Sequence, residues 1–182
     1  QGDAKAARNA RMTDEIDQLT NQIDRLLSEI KSAVLATTYS DSSPLASYTP
    51  FAISEQQAGI WILVSDLAGH AVNLAAQQQC STLILRDEQD SPQMYIRERL
   101  QYEMIATEIH RKESLWSNGT NALRTRHGAL IDTLTTLSDF RLFLLTPNSG
   151  RYIVGFGQAY ELKAKSLNAV DHHLQGPTGP QK

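Results

Sequence analysis

The sequence is short of several things that would announce a function. It has one cysteine, Cys80, so no internal disulfide can form, and its place just before an apolar run reads as an inert core thiol. No apolar run approaches membrane-spanning length, and no charged-then-apolar leader is recognisable, which predicts a soluble, cytoplasmic protein with no membrane partner. There is no dense Lys/Arg block and no aromatic-basic stripe, and the net charge is −3, which argues against a nucleic-acid partner. Zinc-spaced Cys/His sets, a nucleotide-type glycine loop, a nucleophile elbow and internal repeats are all missing. The most informative absence is local: between Lys31 and Arg86 there is no Lys or Arg. A bound phosphate generally calls for cationic donors as well as N–H groups, and this span supplies none.

What is present is enough for one domain: 182 residues, 41% hydrophobic and 20% charged. Residues 1–12 are expected to be disordered or vector-derived. Residues 13–31 read as an amphipathic helix, with Met12, Ile16, Leu19, Ile23, Leu26, Leu27 and Ile30 at alternating four- and three-residue steps and Thr13 as N-cap. Residues 32–39 and 45–53 read as a hairpin around the Asp41–Pro44 turn, with Pro50 at an edge or a bulge. The central stretch 59–85 reads as a strand from Ile60 to Val64, a short helix over 68–78 and a strand from Ser81 to Leu85.

Residues 99–109 alternate with period two and predict a long strand. Two short helices are expected in 113–137, broken at Gly119 and at His127-Gly128. A second hairpin is expected from Phe140 to Leu162, turning at Pro147–Gly150. The tail, 163–182, reads as a short helix carrying His172 and His173. Six or seven short strands with few helices predict a closed antiparallel barrel, mainly β with flanking helices.

Candidate chemistry follows from placement. His70 and Asn73 lie three apart at the start of the central helix and so share a face, where free N–H groups attract anions. They are candidate cofactor contacts, although spacing alone favours a packed or capping His70 and an exposed Asn73. His172 and His173 are candidate metal ligands. His110 and His127 read as surface groups. Asp139, just before a strand, reads as a turn cap or a buried acid.

In order along the chain, PLASYTPFAI (44–53), SDLAGHAVNLAAQQQCSTLIL (65–85), the strand opening at Arg99-Leu100 and SDFRLFLLTPNSGRYIVGFGQAYEL (138–162) resemble one family. It is the HugZ/HutZ-like haem-utilisation branch of the pyridoxamine-phosphate-oxidase-like, FMN-binding split barrels. The resemblance, over roughly residues 32–162, implies a six-stranded antiparallel split β-barrel (with its N-terminal helix, a domain of residues 13–162 followed by the tail), a homodimer, and haem at the subunit interface, degraded oxidatively in some members with an electron donor. It further implies that His70 lies near the cleft and that Arg99 pairs with a haem propionate. Asp139 would hydrogen-bond the proximal histidine of the neighbouring subunit and act in catalysis. Two positions depart from the pattern. Pro177 follows Gly176 where the family has that histidine, which leaves His172 and His173 as candidates, and Met104 stands where a glycine is common. An FMN-dependent oxidoreductase and a non-catalytic haem-binding barrel are the alternatives.

Overall fold

A computed structural model describes residues 2–175, so Gly176 and Pro177 lie outside the described residues. The elements are α1 (Gly2–Glu29), β1 (Ser32–Thr38), β2 (Pro44–Pro50), β3 (Ala52–Ile53), β4 (Ile60–Ser65), α2 (Gly69–Ala76), β5 (Gln79–Leu85), β6 (Arg99–Ile109), α3 (Leu115–His127), α4 (Leu130–Leu134), β7 (Phe140–Gly155), β8 (Gln158–Leu162) and β9 (Val170–Leu174). Two single 3-10 turns, Glu88–Asp90 and Met94–Ile96, interrupt the β5–β6 loop.

Every pairing is antiparallel, and the nine strands form one sheet in the order β2-β1-β5-β6-β7-β4-β3, with β8 and β9 added beside β7. The expectation of a closed barrel is corrected, because no strand pairing joins β2 back to the far edge among the described residues. The mainly β class with flanking helices holds.

Two apolar layers explain the patterns of β4 and β7. Ile60, Ile62, Val64, Phe143 and Leu145 face the main core with Leu35, Leu100, Tyr102 and Tyr152 and with Leu19, Ile23, Leu26 and Leu27 of α1. Trp61, Leu142 and Leu144 face the opposite side, where Leu123 and Ile131 of α3 and α4 cover them. A strand buried on both faces needs a continuous apolar run rather than an alternating one. β6 is covered on one face only, and it alternates.

Four local expectations are corrected. α1 begins at Gly2, so residues 2–12 are helical, and Thr13 is no cap; its hydroxyl donates to the Asn9 carbonyl inside the helix. Gly119 does not break α3. It lies buried within it, because a Cβ there would sit 2.7 Å from Trp61 Cε3. Pro147–Gly150 is not a hairpin turn but part of the 16-residue β7, where the register slips so that Met104 pairs with Pro147 and Glu103 with Ser149. A bulge absorbs the missing proline donor and leaves Asn148 as the extra residue. The actual reversal is at Phe156-Gly157, with Gly157 at φ 64°. The tail histidines lie on a strand, β9, and not on a helix.

Candidate functional site

α2 follows β4 after a three-residue break and lies across β1 and β2. His70 and Asn73 share a face as their spacing predicts. That face meets the sheet: Asn73 is only 4% exposed, its Nδ2 donating to Thr37 Oγ1 at 3.0 Å. The expectation of an exposed Asn73 is thereby corrected, and its amide is committed to holding α2 on β1.

His70 is half-buried, with Nδ1 2.9 Å from Ser47 Oγ. The Ser47 hydroxyl donates its one proton to the Leu35 carbonyl at 3.2 Å, so it accepts from His70 Nδ1–H. Burial lowers the His70 pKa, which favours the neutral ring. The neutral Nδ1–H tautomer carries its lone pair on Nε2, turned away from Ser47.

Asp139 flanks the same β4–α2 connection. Its Oδ2 accepts from Ser65 Oγ at 2.7 Å and its carbonyl from the Asp66 N–H at 2.8 Å. Ser65 Oγ in turn accepts from the Leu67 N–H at 3.2 Å. The nearby cation, Arg141, arrives from β7 and is taken up by Asp66 at 2.6 Å and by Glu108 at 3.7 Å. Two hydrogen-bonded pairs, His70–Ser47 and Asp139–Ser65, thus stand on either side of the β4–α2 connection, a weak base and an acid each tied to a hydroxyl. The two serines escape sequence reasoning because a hydroxyl tie across a fold carries no spacing signal.

Arg99 lies elsewhere. It opens β6, ten residues before Ile109, which pairs with Leu142 near Asp139. At about 3.3 Å per residue that is roughly 33 Å along the strand. Register places Arg99 opposite Ile153, Ile153 opposite Ala159, and Ala159 opposite Leu174, a row running from β6 to β9. Arg99 donates to the Arg97 carbonyl at 2.8 Å and has no carboxylate within 4.0 Å among the described residues.

His172 and His173 share this end, His173 one row and His172 two rows from Arg99's own. As strand neighbours they point to opposite faces. His172 Nδ1 is 2.8 Å from Asp171 Oδ2. His173 Nε2 is 2.5 Å from the Gly157 carbonyl, with its ring 5.0 Å from that of Tyr160. No three His, Cys, Asp or Glu side chains converge on a metal point among the described residues. Cys80 is inert, since burial pushes its thiol up to about 12. His127 is not a free surface group; its Nε2 lies 2.8 Å from the Phe51 carbonyl.

One chain therefore carries two separate regions, the β4–α2 connection with the His70 and Asp139 pairs and the Arg99–β9 end. A haem asks for a cation at a propionate and one axial nitrogen rather than a metal cage. Arg99, without an acidic partner, fits the first requirement. The imidazoles of His70 and of β9 are of the right chemistry for the second.

The fold is that of a known class. Residues 19–154 match the pyridoxamine 5'-phosphate oxidase family, and the chain belongs to that family, within its HutZ-like branch. It is 35% identical over 159 residues to the haem oxygenase HutZ of Vibrio cholerae serotype O1, covering 87% of this chain and 89% of that protein. The crystal structure of Vibrio cholerae HutZ, there described as a haem storage protein, superposes with a TM-score of 0.67 at 34% identity, over 71% of this chain and 89% of that one. Campylobacter jejuni ChuZ shares the fold, with a TM-score of 0.78 at 24% identity over 91% of this chain and 66% of that one.

Proposed function

We propose that this chain is a haem-utilisation protein that binds haem between the subunits of a homodimer in the cytoplasm and degrades it oxidatively to release iron. The observation that carries the reading is the 35% identity to the HutZ haem oxygenase over nearly the whole of both chains. The separation of Arg99 from Asp139 within one chain supports the dimer, because a second copy is a direct way to bring the two regions to one ligand. No described helix is long and apolar enough to cross a membrane.

Bound haem would supply the oxygen chemistry, with electrons from an external donor. The chain's own part is positional. Arg99 would pair with a propionate and orient the macrocycle. Asp139, braced by Ser65, keeps one carboxylate oxygen for a hydrogen bond to an imidazole N–H of the neighbouring subunit, fixing that ring and raising its basicity. His172 would serve as the ring in question once freed from Asp171, with His173 left on the Gly157 carbonyl.

The family match on residues 19–154 favours a second reading, an FMN-dependent oxidoreductase. Against a phosphate beside α2 stand the absence of Lys and Arg between Lys31 and Arg86 and the pairing of Arg141 with Asp66 and Glu108. Haemin titration of the purified protein, after recording its spectrum as isolated, separates the two. A saturable Soret band is the expected result. Flavin absorbance in the isolated protein with no haemin response would replace haem by FMN, and neither chromophore would leave a barrel without either cofactor.

A further inference from the structure

The β7–β8 hairpin reverses at Phe156-Gly157, and its tip carries an unusual load: Phe156 is 75% exposed. Single exposed apolar residues are ordinary on a protein surface, but this one is held in place. Gly157 adopts φ 64°, a conformation glycine takes without strain, and its carbonyl is bonded by His173 Nε2 from β9. The His173 ring rests against Tyr160, and a Cβ on Gly155 would meet Gln158 Oε1 at 2.7 Å. Backbone, imidazole and close packing thus fix a tip whose aromatic ring touches little of its own protein.

Its neighbourhood suggests what the ring is for. Phe156 lies three residues beyond Ile153, the register partner of Arg99. That is about 10 Å of strand, within the span of one tetrapyrrole. Arg99 has no acidic partner among the described residues. A presented aromatic ring beside an unpaired guanidinium complements a flat apolar ring system bearing carboxylates, the ring by stacking and the cation by pairing.

We propose that Phe156 is a ligand-contact residue, its ring packed on the macrocycle of a bound porphyrin while Arg99 pairs with a propionate. The inference rests on the haem reading and adds to it a contact that does not depend on iron. The His173 bond fixes the backbone that carries the ring, so that little backbone ordering accompanies binding.

The test titrates haemin and, separately, metal-free protoporphyrin IX into the full chain and into Phe156→Ala and Phe156→Trp, with size-exclusion chromatography of each protein before porphyrin is added. Phe156→Ala is expected to weaken both porphyrins about tenfold, and Phe156→Trp to stay within about threefold of the parent. Haemin binding by the parent with equal affinity in Phe156→Ala overturns the proposal and leaves the haem reading standing. No porphyrin binding by the parent overturns both. Dissociation of Phe156→Ala to monomers before porphyrin is added assigns the ring to the subunit contact and overturns the proposal.

Discussion

Ser65 and Asp139, 74 positions apart in the chain, meet at the end of the β4–β7 pair, the Ser65 hydroxyl donating to Asp139 Oδ2 at 2.7 Å. The same hydroxyl accepts the Leu67 N–H, so one serine holds both the acid and the start of the turn into α2. Replacing Asp139 by Asn keeps an oxygen for Ser65 and removes the charge. Under the haem reading, turnover should fall tenfold or more, roughly the effect of losing the partner of a ligating histidine. The unfolding free energy should change by less than about 1 kcal/mol. Single-turnover loss of the Soret band, read beside a urea titration, checks both, and unchanged turnover would remove Asp139 from the mechanism.

Arg126 of α3 does for α1 what α1 cannot do for itself. α1 has no basic residue in its last turn, and Arg126 Nη2 donates to the carbonyls of Leu27 and Ile30 at 2.7 Å, with its guanidinium 4.9 Å from the Phe51 ring centre. A cation at these orphan carbonyls both caps the helix and opposes its dipole. Arg126→Ala should cost about 2 kcal/mol of stability. The amides of α1 should exchange faster than those of β6. Equal protection in the variant and the parent would mean that burial of Ile23 and Leu26 alone docks the helix.

At Gly119 two effects compete. Alanine in a helix interior is favoured over glycine by about 1 kcal/mol. The added Cβ would lie 2.7 Å from Trp61 Cε3 and 2.8 Å from Leu142 Cδ2, inside a packed layer. Overpacking of this kind costs about 1–3 kcal/mol, so Gly119→Ala should be net destabilising. A lowered thermal midpoint with an altered Trp61 fluorescence maximum is the expected result, and a raised midpoint would show that the α3–β4 contact yields.

His70 imposes a pH dependence. Burial lowers its folded-state pKa below the unfolded value, so the unfolded chain binds the extra proton first. Stability is therefore full above the unfolded value, near pH 6.5, and falls as pH drops from there through the folded pKa. The urea midpoint of the parent should drop more between pH 7 and pH 5 than that of His70→Gln. Parallel profiles would show that carboxylates carry the whole acid response.

How far could the residues alone be followed? The alternation of 99–109 matches β6 end for end, and the apolar run at Ile60 became β4, because period and burial are properties of local sequence. The Pro147–Gly150 run misled, since proline and glycine mark a bulge as well as a turn, and which one forms depends on the partner strand β6. The tail has no strand period of its own, and only pairing with β8 makes five residues of it a strand. Spacing put His70 and Asn73 on one face but could not tell which way that face looks.

What the sequence determined by itself is therefore the set of elements with strong internal period, the order of the family's motifs and the cation-free span before Arg86. The tertiary structure alone decided that Ser65 reaches Asp139, that Arg126 caps a helix nearly a hundred residues away, and that Arg99 and Asp139 stand at opposite ends of one sheet. Local order is written in neighbouring residues, whereas these contacts depend on strand register, which only the packed sheet defines.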